Sequence, residues 1–358
     1  MVESKNIMVN EGWTGPGRCD ATITPLKPEE DGLHTDVGSR GKYEWWYFDA
    51  HLDTGHSIVV FFHVANPNPG MGGKPGVEIV LHRPDGTKIQ KFVPYSKSNF
   101  AALRSKADVK IGNNFLRVEQ LDGHLPRYEI YIKEKDLGCH LTYVAEVNGW
   151  KPGSGVSQFG HMGYFAWVVP CPKARVEGTV TEGDRTFQVK GIGYHDHNWL
   201  NFQFPMIINY WMWGRIYSDH YTVCYAFIQC NKKMDNHAVK VLMLADGKEV
   251  VLSTGEFDFI KQDFEYNDRA KYAYPKNLIL KVPDVLEVKL TAKRILEAES
   301  MLDNFGAILK FIAKNVLRLK PGYFRLLSDF AIKVTRAGKT NMETGSTLHE
   351  IVMFKPSE

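Results

Sequence analysis

Within the nine residues Gly191-Ile192-Gly193-Tyr194-His195-Asp196-His197-Asn198-Trp199 the chain gathers two imidazoles, a carboxylate, a phenol and an indole. Imidazole and carboxylate together supply a general base and a general acid near neutral pH. The rings beside them can face a cation or a flat apolar group. Alternate side chains of a strand turn to opposite faces. An extended segment here therefore sets His195, His197 and Trp199 on one side and Tyr194, Asp196 and Asn198 on the other. Burying so many polar atoms costs free energy unless each finds a partner, so the segment reads as a site before it reads as core. His195-x-His197 also offers the first two ligands of a metal centre. No spacing locates a third from Glu44, His161 or His220, and such a pair reads as hydrogen-bonded imidazoles with no metal.

Three further segments concentrate aromatic side chains. In Tyr43-Glu44-Trp45-Trp46-Tyr47-Phe48-Asp49, the residues Glu44, Trp46 and Phe48 share one face and Trp45, Tyr47 and Asp49 the other. A sheet with one wet side needs only one apolar face. Two aromatic faces imply that one lines the core and the other a ligand cavity or a domain interface, and an inward carboxylate there needs a partner. The second segment runs from Gly160 and His161 through Tyr164, Phe165 and Trp167 to Pro170. The third, Asn209 to Arg215, aligns Tyr210, Met212 and Gly214 against Trp211, Trp213 and Arg215. Four such strands converging on one cavity would form an aromatic cage holding a few buried acids and bases. That suits a hydrophobic substrate passing through positive charge, which a desolvated ring stabilises by roughly 2 kcal/mol. A positioned acid–base pair adds about 10²–10⁴-fold in rate.

The elements that must position these groups are strands. Tyr43–Leu52 and Ser57–Val64 flank Asp53-Thr54-Gly55-His56, and Val77–His82 and Lys88–Phe92 flank Arg83-Pro84-Asp85-Gly86. The same habit of short alternating runs between tight turns continues to Thr181 and Arg185–Gly191, and resumes from Tyr210 to Ala292. This spacing predicts an all-β sandwich or barrel architecture, in two domains at 358 residues. From about Leu296 to Phe330 the periodicity turns helical, with Pro321-Gly322 dividing a helical hairpin. A basic amphipathic helix of this kind can seat on a membrane or cover a pocket.

Other classes are excluded. A net charge of +3 with interspersed signs gives no nucleic-acid surface. No Walker loop, dinucleotide fingerprint or Gly-x-Ser-x-Gly elbow is present, so no nucleotide cofactor and no serine nucleophile are expected. The five cysteines form no Cys-x-x-Cys pair and lie in apolar strands, which reads as inert reduced thiols. With no apolar leader at Met1–Asn6 and no run long enough to span a bilayer, a soluble cytoplasmic protein is expected.

Taken together, Tyr43–Asp49, Tyr164-Phe165-Ala166-Trp167-Val168-Val169-Pro170 and Gly193–Trp199 resemble, in order and spacing, the carotenoid 1,2-hydratase (hydroxyneurosporene synthase) and AttH-like proteins. The resemblance covers about residues 40 to 355. It implies two lipocalin-like β-domains, here residues 1–203 and 204–358, with the ligand near their junction and a helical insertion near 296–330. It also implies water addition to isolated alkenes of carotenoids and prenylated flavonoids, or pericyclic reactions, Diels–Alder reactions among them, on polyene metabolites. It assigns His197 and Trp199 to the active site. Tyr194, His195, Asp196 and Glu44 join His197 as acid–base candidates. Trp45, Trp46, Tyr47, Tyr164, Trp211, Trp213, Tyr225 and Phe227 join Trp199 as candidate substrate-binding residues. Carotenoid hydratases carry Tyr-x-Asp on the strand after the Trp-x-Trp-Gly-Arg-like segment. This chain has Tyr225-Ala226-Phe227 there, and Leu200 where the family has glycine. Asp196, Asp219, Glu44 or Asp49 must then supply the proton, or the reaction needs no strong acid. The expected activity is hydration of a hydrophobic isoprenoid, polyene or prenylated aromatic. The alternatives are a cofactor-free isomerase or cyclase and a non-catalytic lipid or isoprenoid binder.

Overall fold

Runs of β-branched and aromatic residues broken by Gly- and Asp-containing turns leave the chain few choices but antiparallel hairpins. The computed structural model describes residues 8–66, 73–120, 124–300 and 321–354. Within them the regular elements are strands and short 3-10 turns, arranged in two antiparallel sheets. In the first sheet a four-strand meander, Tyr43–Leu52, Ser57–Ala65, Gly76–His82 and Lys88–Pro94, runs one way from the centre. A second meander starts at Phe100–Ala102 on the far edge and works back to Tyr164–Glu182 and Arg185–Leu200. Its last strand pairs with Tyr43–Leu52. The second sheet repeats this plan. Ile208–Tyr217 begins a meander to Glu249–Thr254, and the return from Asp258–Asn267 ends with Lys339–Met353 beside Ile208–Tyr217.

Each sheet curls around its own core. In the first, Val93 and Phe100, from opposite ends of the strand order, pack on one cluster with Phe48, Phe62, Ile79, Ile130 and Val176. The second encloses Tyr225, Phe227, Leu244, Leu280, Phe324 and Ile351. A third cluster lies between the sheets, where Tyr194, Trp167, Trp45, Tyr47, Trp211 and Trp213 meet Cys224, Met243 and Val352. Tyr43–Leu52 is therefore aromatic on both faces because one face fills the first barrel and the other the junction. The 19-residue strand Tyr164–Glu182 carries register shifts around Cys171, where Pro170 and Pro172 have no N–H to give the ladder.

The helical hairpin expected over 296–330 is absent at both ends. Residues 296–300 complete the strand Leu286–Ser300 and residues 322–330 begin the strand Gly322–Arg336, paired to each other from Arg294↔Leu327 to Ser300↔Gly322. Residues 301–320 of that segment lie outside the described residues. Helix-forming Leu296, Glu297, Ala298 and Glu299 adopt a strand because ion pairs hold the glutamates: Glu297 bonds His82 and Lys88 of the first sheet, and Glu299 also meets Lys88. Tertiary contact outweighs a local preference of a few tenths of a kcal/mol per residue. No described helix is long and apolar enough to cross a membrane.

Candidate active site

Arg185–Leu200 lies between Tyr43–Leu52 and Tyr164–Glu182, with His197 opposite Trp46 and Trp199 opposite Glu44. Side chains at facing positions share a face of the sheet. His195, His197, Glu44 and Trp46 accordingly turn into the first barrel, where none of the four is exposed to solvent. His197 Nε2 lies 3.0 Å from Glu44 Oε1. The imidazole is stacked on Trp46 at 4.4 Å between ring centres, and His195 is stacked on Phe48 at 3.9 Å.

The lid over this face comes from the N-terminal segment. The 3-10 turn Pro28–Asp31 places Asp31 between both imidazoles, with Oδ2 3.1 Å from His195 Nε2 and Oδ1 3.5 Å from His197 Nδ1. Tyr128 Oη donates to the same carboxylate at 3.0 Å, and Trp46 Nε1 to the Asp31 carbonyl at 2.9 Å. The backbone N–H groups of His34 and Thr35 both donate to Glu44. The exposed His34 ring lies flat on Trp199, 3.7 Å between centres. Asp31 and Thr35, within the polar, turn-rich first 40 residues, are buried parts of the site.

Two physical pulls act on Glu44. Burial disfavours the carboxylate and the two backbone N–H groups favour it; burial prevails, raising the group from 4.5 to about 7. Burial also pushes His197 well below the ordinary imidazole range. An acid half-protonated near neutrality thus touches a neutral base, and one proton is shared along the Glu44–His197 contact. His195 Nδ1 faces the Tyr47 carbonyl at 2.9 Å, and its Nε2 lies 3.1 Å from Asp31 Oδ2. Acids and bases alternate in Glu44, His197, Asp31 and His195, with hydrogen-bond contacts at Glu44–His197 and Asp31–His195 and a 3.5 Å approach between Asp31 and His197.

The opposite face of the same strand holds a second polar set, at the junction. Asp196 Oδ2 accepts from Trp167 Nε1 and Tyr194 Oη, each at 2.9 Å, and Oδ1 accepts from Asn198 at 2.8 Å. Burial lifts its carboxyl to about 6 against these donors. Asp49 on the neighbouring strand accepts from Tyr47 Oη at 2.7 Å and pairs with Arg215 of the second sheet. The Arg215 guanidinium lies 4.5 Å over the Tyr194 ring.

The expected single cage is thus divided. His197, His195, Glu44 and Trp46 share the first barrel; Trp199 and Tyr164 form a small cluster beside it with Leu26 and Val156. Trp45, Tyr47, Trp211 and Trp213 pack in the junction with Tyr194, and Asp196 lies there through its Trp167 and Tyr194 bonds. Tyr225 and Phe227 point into the second barrel, Phe227 stacked on Phe259 at 4.6 Å, far from an acid's role. The alternation is right in every case; the pattern alone does not say which face is inside. Asp31 and His34 carried no periodic signal, and the acidic Pro28-Glu29-Glu30-Asp31 turn was the only hint. Among the described residues no group of three or more His, Cys, Asp or Glu side chains is placed to hold a metal ion. Two surface clefts, of about 210 and 530 Å³, lie elsewhere and contain none of these residues.

The fold finds counterparts in known proteins. An AttH-type protein of Nitrosomonas europaea superposes with a TM-score of 0.61 at 17% identity, covering 95% of this chain and 98% of that one. The chain has the AttH-like lipocalin fold. Kievitone hydratase of Nectria haematococca shares it, with a TM-score of 0.58, 17% identity and 98% of each chain covered. A Diels-Alderase-like family model matches residues 141–277, which span the His195–Trp199 strand and the junction. Hydroxyneurosporene dehydrogenase of Chlorobaculum tepidum is 24% identical over 84% of this chain and 88% of its own length.

Proposed function

We propose that this AttH-like chain is a cofactor-independent enzyme that adds water across a carbon–carbon double bond of a hydrophobic isoprenoid, polyene or prenylated aromatic. One observation carries the reading: the Glu44–His197 pair, a carboxyl raised to about 7 in contact with a suppressed imidazole, buried against Trp46. In this scheme the Glu44 carboxyl gives its proton to an alkene carbon and the π pair becomes the new C–H bond. The indole faces of Trp46 and Trp199 stabilise the resulting cation. Water forms the C–O bond and its proton passes to His197 Nε2, then back to Glu44, which restores both groups. The stacked Trp46 ring keeps His197 oriented, and substrate enters by displacing the exposed His34 ring from Trp199. Likeness in fold to kievitone hydratase supports hydration. The five unbridged cysteines support a reducing, cytoplasmic setting.

A cyclase is the second reading, favoured by the Diels-Alderase-like match and by Phe227 standing where a hydratase acid is expected. Incubating the protein with candidate polyenes and prenylated aromatics in heavy-oxygen water separates the two. Labelled product, lost in Glu44→Gln, supports hydration; product of unchanged mass replaces it with cyclisation. Ligand recovered unaltered from every incubation removes the enzymatic reading.

A further inference from the structure

On the outside of the first barrel, neighbouring strands set two rows of polar side chains next to each other. Thr142 faces Glu177 and Glu177 faces Lys190; two residues along, His140 faces Thr179 and Thr179 faces Gln188. Facing residues share a side of the sheet. Here it is the wet side, because Leu141, Val176, Val180 and Val189 fill the barrel. The rows floor the cleft of about 530 Å³, which Asp53 also lines and to which the second sheet contributes nothing. That volume falls within the roughly 300–1,000 Å³ of small-molecule sites.

Gly178 lies at the floor of the cleft between Glu177 and Thr179, at φ 146°, and a Cβ there would stand 2.1 Å from the His140 carbonyl oxygen. A glycine inside a strand marks a place where backbone or ligand comes close. The polar groups around it are not occupied with one another. Among the described residues the side chains of Thr142, Glu177, Thr179, Gln188 and Lys190 make no hydrogen bond or ion pair. His140 is held 2.7 Å from Glu129, and Asp53 accepts from the Lys190 N–H at 3.1 Å. Beside the cleft the His140 row continues into rings. Tyr131 faces His140 and Phe115 faces Tyr131, the two half-buried rings stacked at 5.4 Å between centres.

We propose that this cleft is a binding site for a sugar, a pyranose ring in a glycan or carried singly by a larger molecule. Glu177 accepts, Lys190 donates, and Gln188 and the two threonines do both, which matches adjacent hydroxyls that each donate and accept. Charges of both signs line the cleft, so its field favours neither an anion nor a cation. The apolar C–H face of a sugar ring has the Tyr131 ring to lie against. A wholly apolar ligand has no such match, because Val189, the apolar member of the lining, is turned into the barrel. The site shares no residue with the Glu44–His197 pair or with the junction, and it stands whatever reaction they perform.

The test titrates the full chain with the methyl pyranosides of glucose, galactose and mannose and with cellobiose and chitobiose, reading the methyl resonances of Thr142 and Thr179 by NMR. At least one sugar should move both resonances and leave in place those of Thr222 and Thr254, which are buried in the second sheet. Glu177→Gln removes a charge-assisted acceptor from an exposed position and should weaken that sugar about tenfold. Tyr131→Ala, checked for folding by circular dichroism, should weaken it several-fold. A disaccharide bound several-fold more tightly than its methyl pyranoside assigns the site to a glycan, and equal affinity to a single sugar on a larger molecule; either upholds it. Thr142 and Thr179 resonances that no sugar moves, or an affinity that either substitution leaves unchanged, overturn the site.

Discussion

Replacing Glu44 with glutamine should change how stability depends on pH in a way that no loss of packing would imitate. The carboxyl rises from 4.5 to about 7 on folding, chiefly by burial. A group whose folded value is raised contributes stability that is fully present below its unfolded value and is lost as pH climbs through the folded one. For Glu44 the window runs from about pH 4.5 to just above 7, and the shift corresponds to about 3 kcal/mol. Glutamine cannot ionise, so it lacks this loss. It also has a fixed cost: Oε1 accepts from the His34 N–H and Oε2 from the Thr35 N–H, so an NH₂ at either position would face a donor. That cost, about 1–3 kcal/mol, does not vary with pH. Urea unfolding of both proteins at intervals from pH 4.5 to 8 should therefore give a difference that shifts in favour of Glu44→Gln by about 3 kcal/mol. Asp196 titrates alike in both proteins and cancels. A difference that stays flat across the window would mean that Glu44 is an ordinary carboxylate, and the shared proton with His197 would go with it.

The Asp49–Arg215 pair joins the two sheets in a buried setting; Asp49→Ala or Arg215→Ala alone should cost about 3–5 kcal/mol, and Asp49→Leu with Arg215→Met far less, by denaturant unfolding. A double variant costing as much as the two single variants added together would show the pair uncoupled. Hydrogen exchange should find the His34 and Thr35 amides slow in the wild type and fast in Glu44→Ala, because Glu44 is their acceptor; unchanged protection would show that Glu44 does not hold these two amides. Gly193→Ala should destabilise by about 1–3 kcal/mol or more, since a Cβ there would stand 2.5 Å from the Tyr143 ring and 2.7 Å from the Asp49 carbonyl. A melting temperature matching the wild type would refute that crowding.

Much of this was legible because strand alternation is strict. The facing of His195 and His197 against Tyr194 and Asp196, and of Glu44 and Trp46 against Trp45 and Tyr47, follows from period two alone. What period two cannot supply is the sign of each face. Tyr225 and Trp213 looked equally suited to a cage, yet one lies inside the second barrel and the other in the junction. Asp31 stayed hidden because its position depends on a 3-10 turn held by Tyr128, His195 and Trp46, all distant in sequence. Near Tyr323-Phe324-Arg325-Leu326-Leu327 large apolar side chains lie on both faces, Phe324 and Leu326 inside and Tyr323 outside, which masks the alternation and favours a helical reading.

The strand that carries both polar sets is also the one whose pairing closes the first barrel, and this makes its register a choice between two chemistries. Glu44 and His197 are separated by 153 residues and meet only when Arg185–Leu200 returns to Tyr43–Leu52. A slip of one residue in that closure would turn Tyr194 and Asp196 inward and put both imidazoles outside. Register shifts flank Cys171 on the adjoining strand, and bulges of this kind pin the alignment of a sheet. They act as a mechanical key, and a chain that closes out of step would be a folded barrel with its proton chemistry inside out.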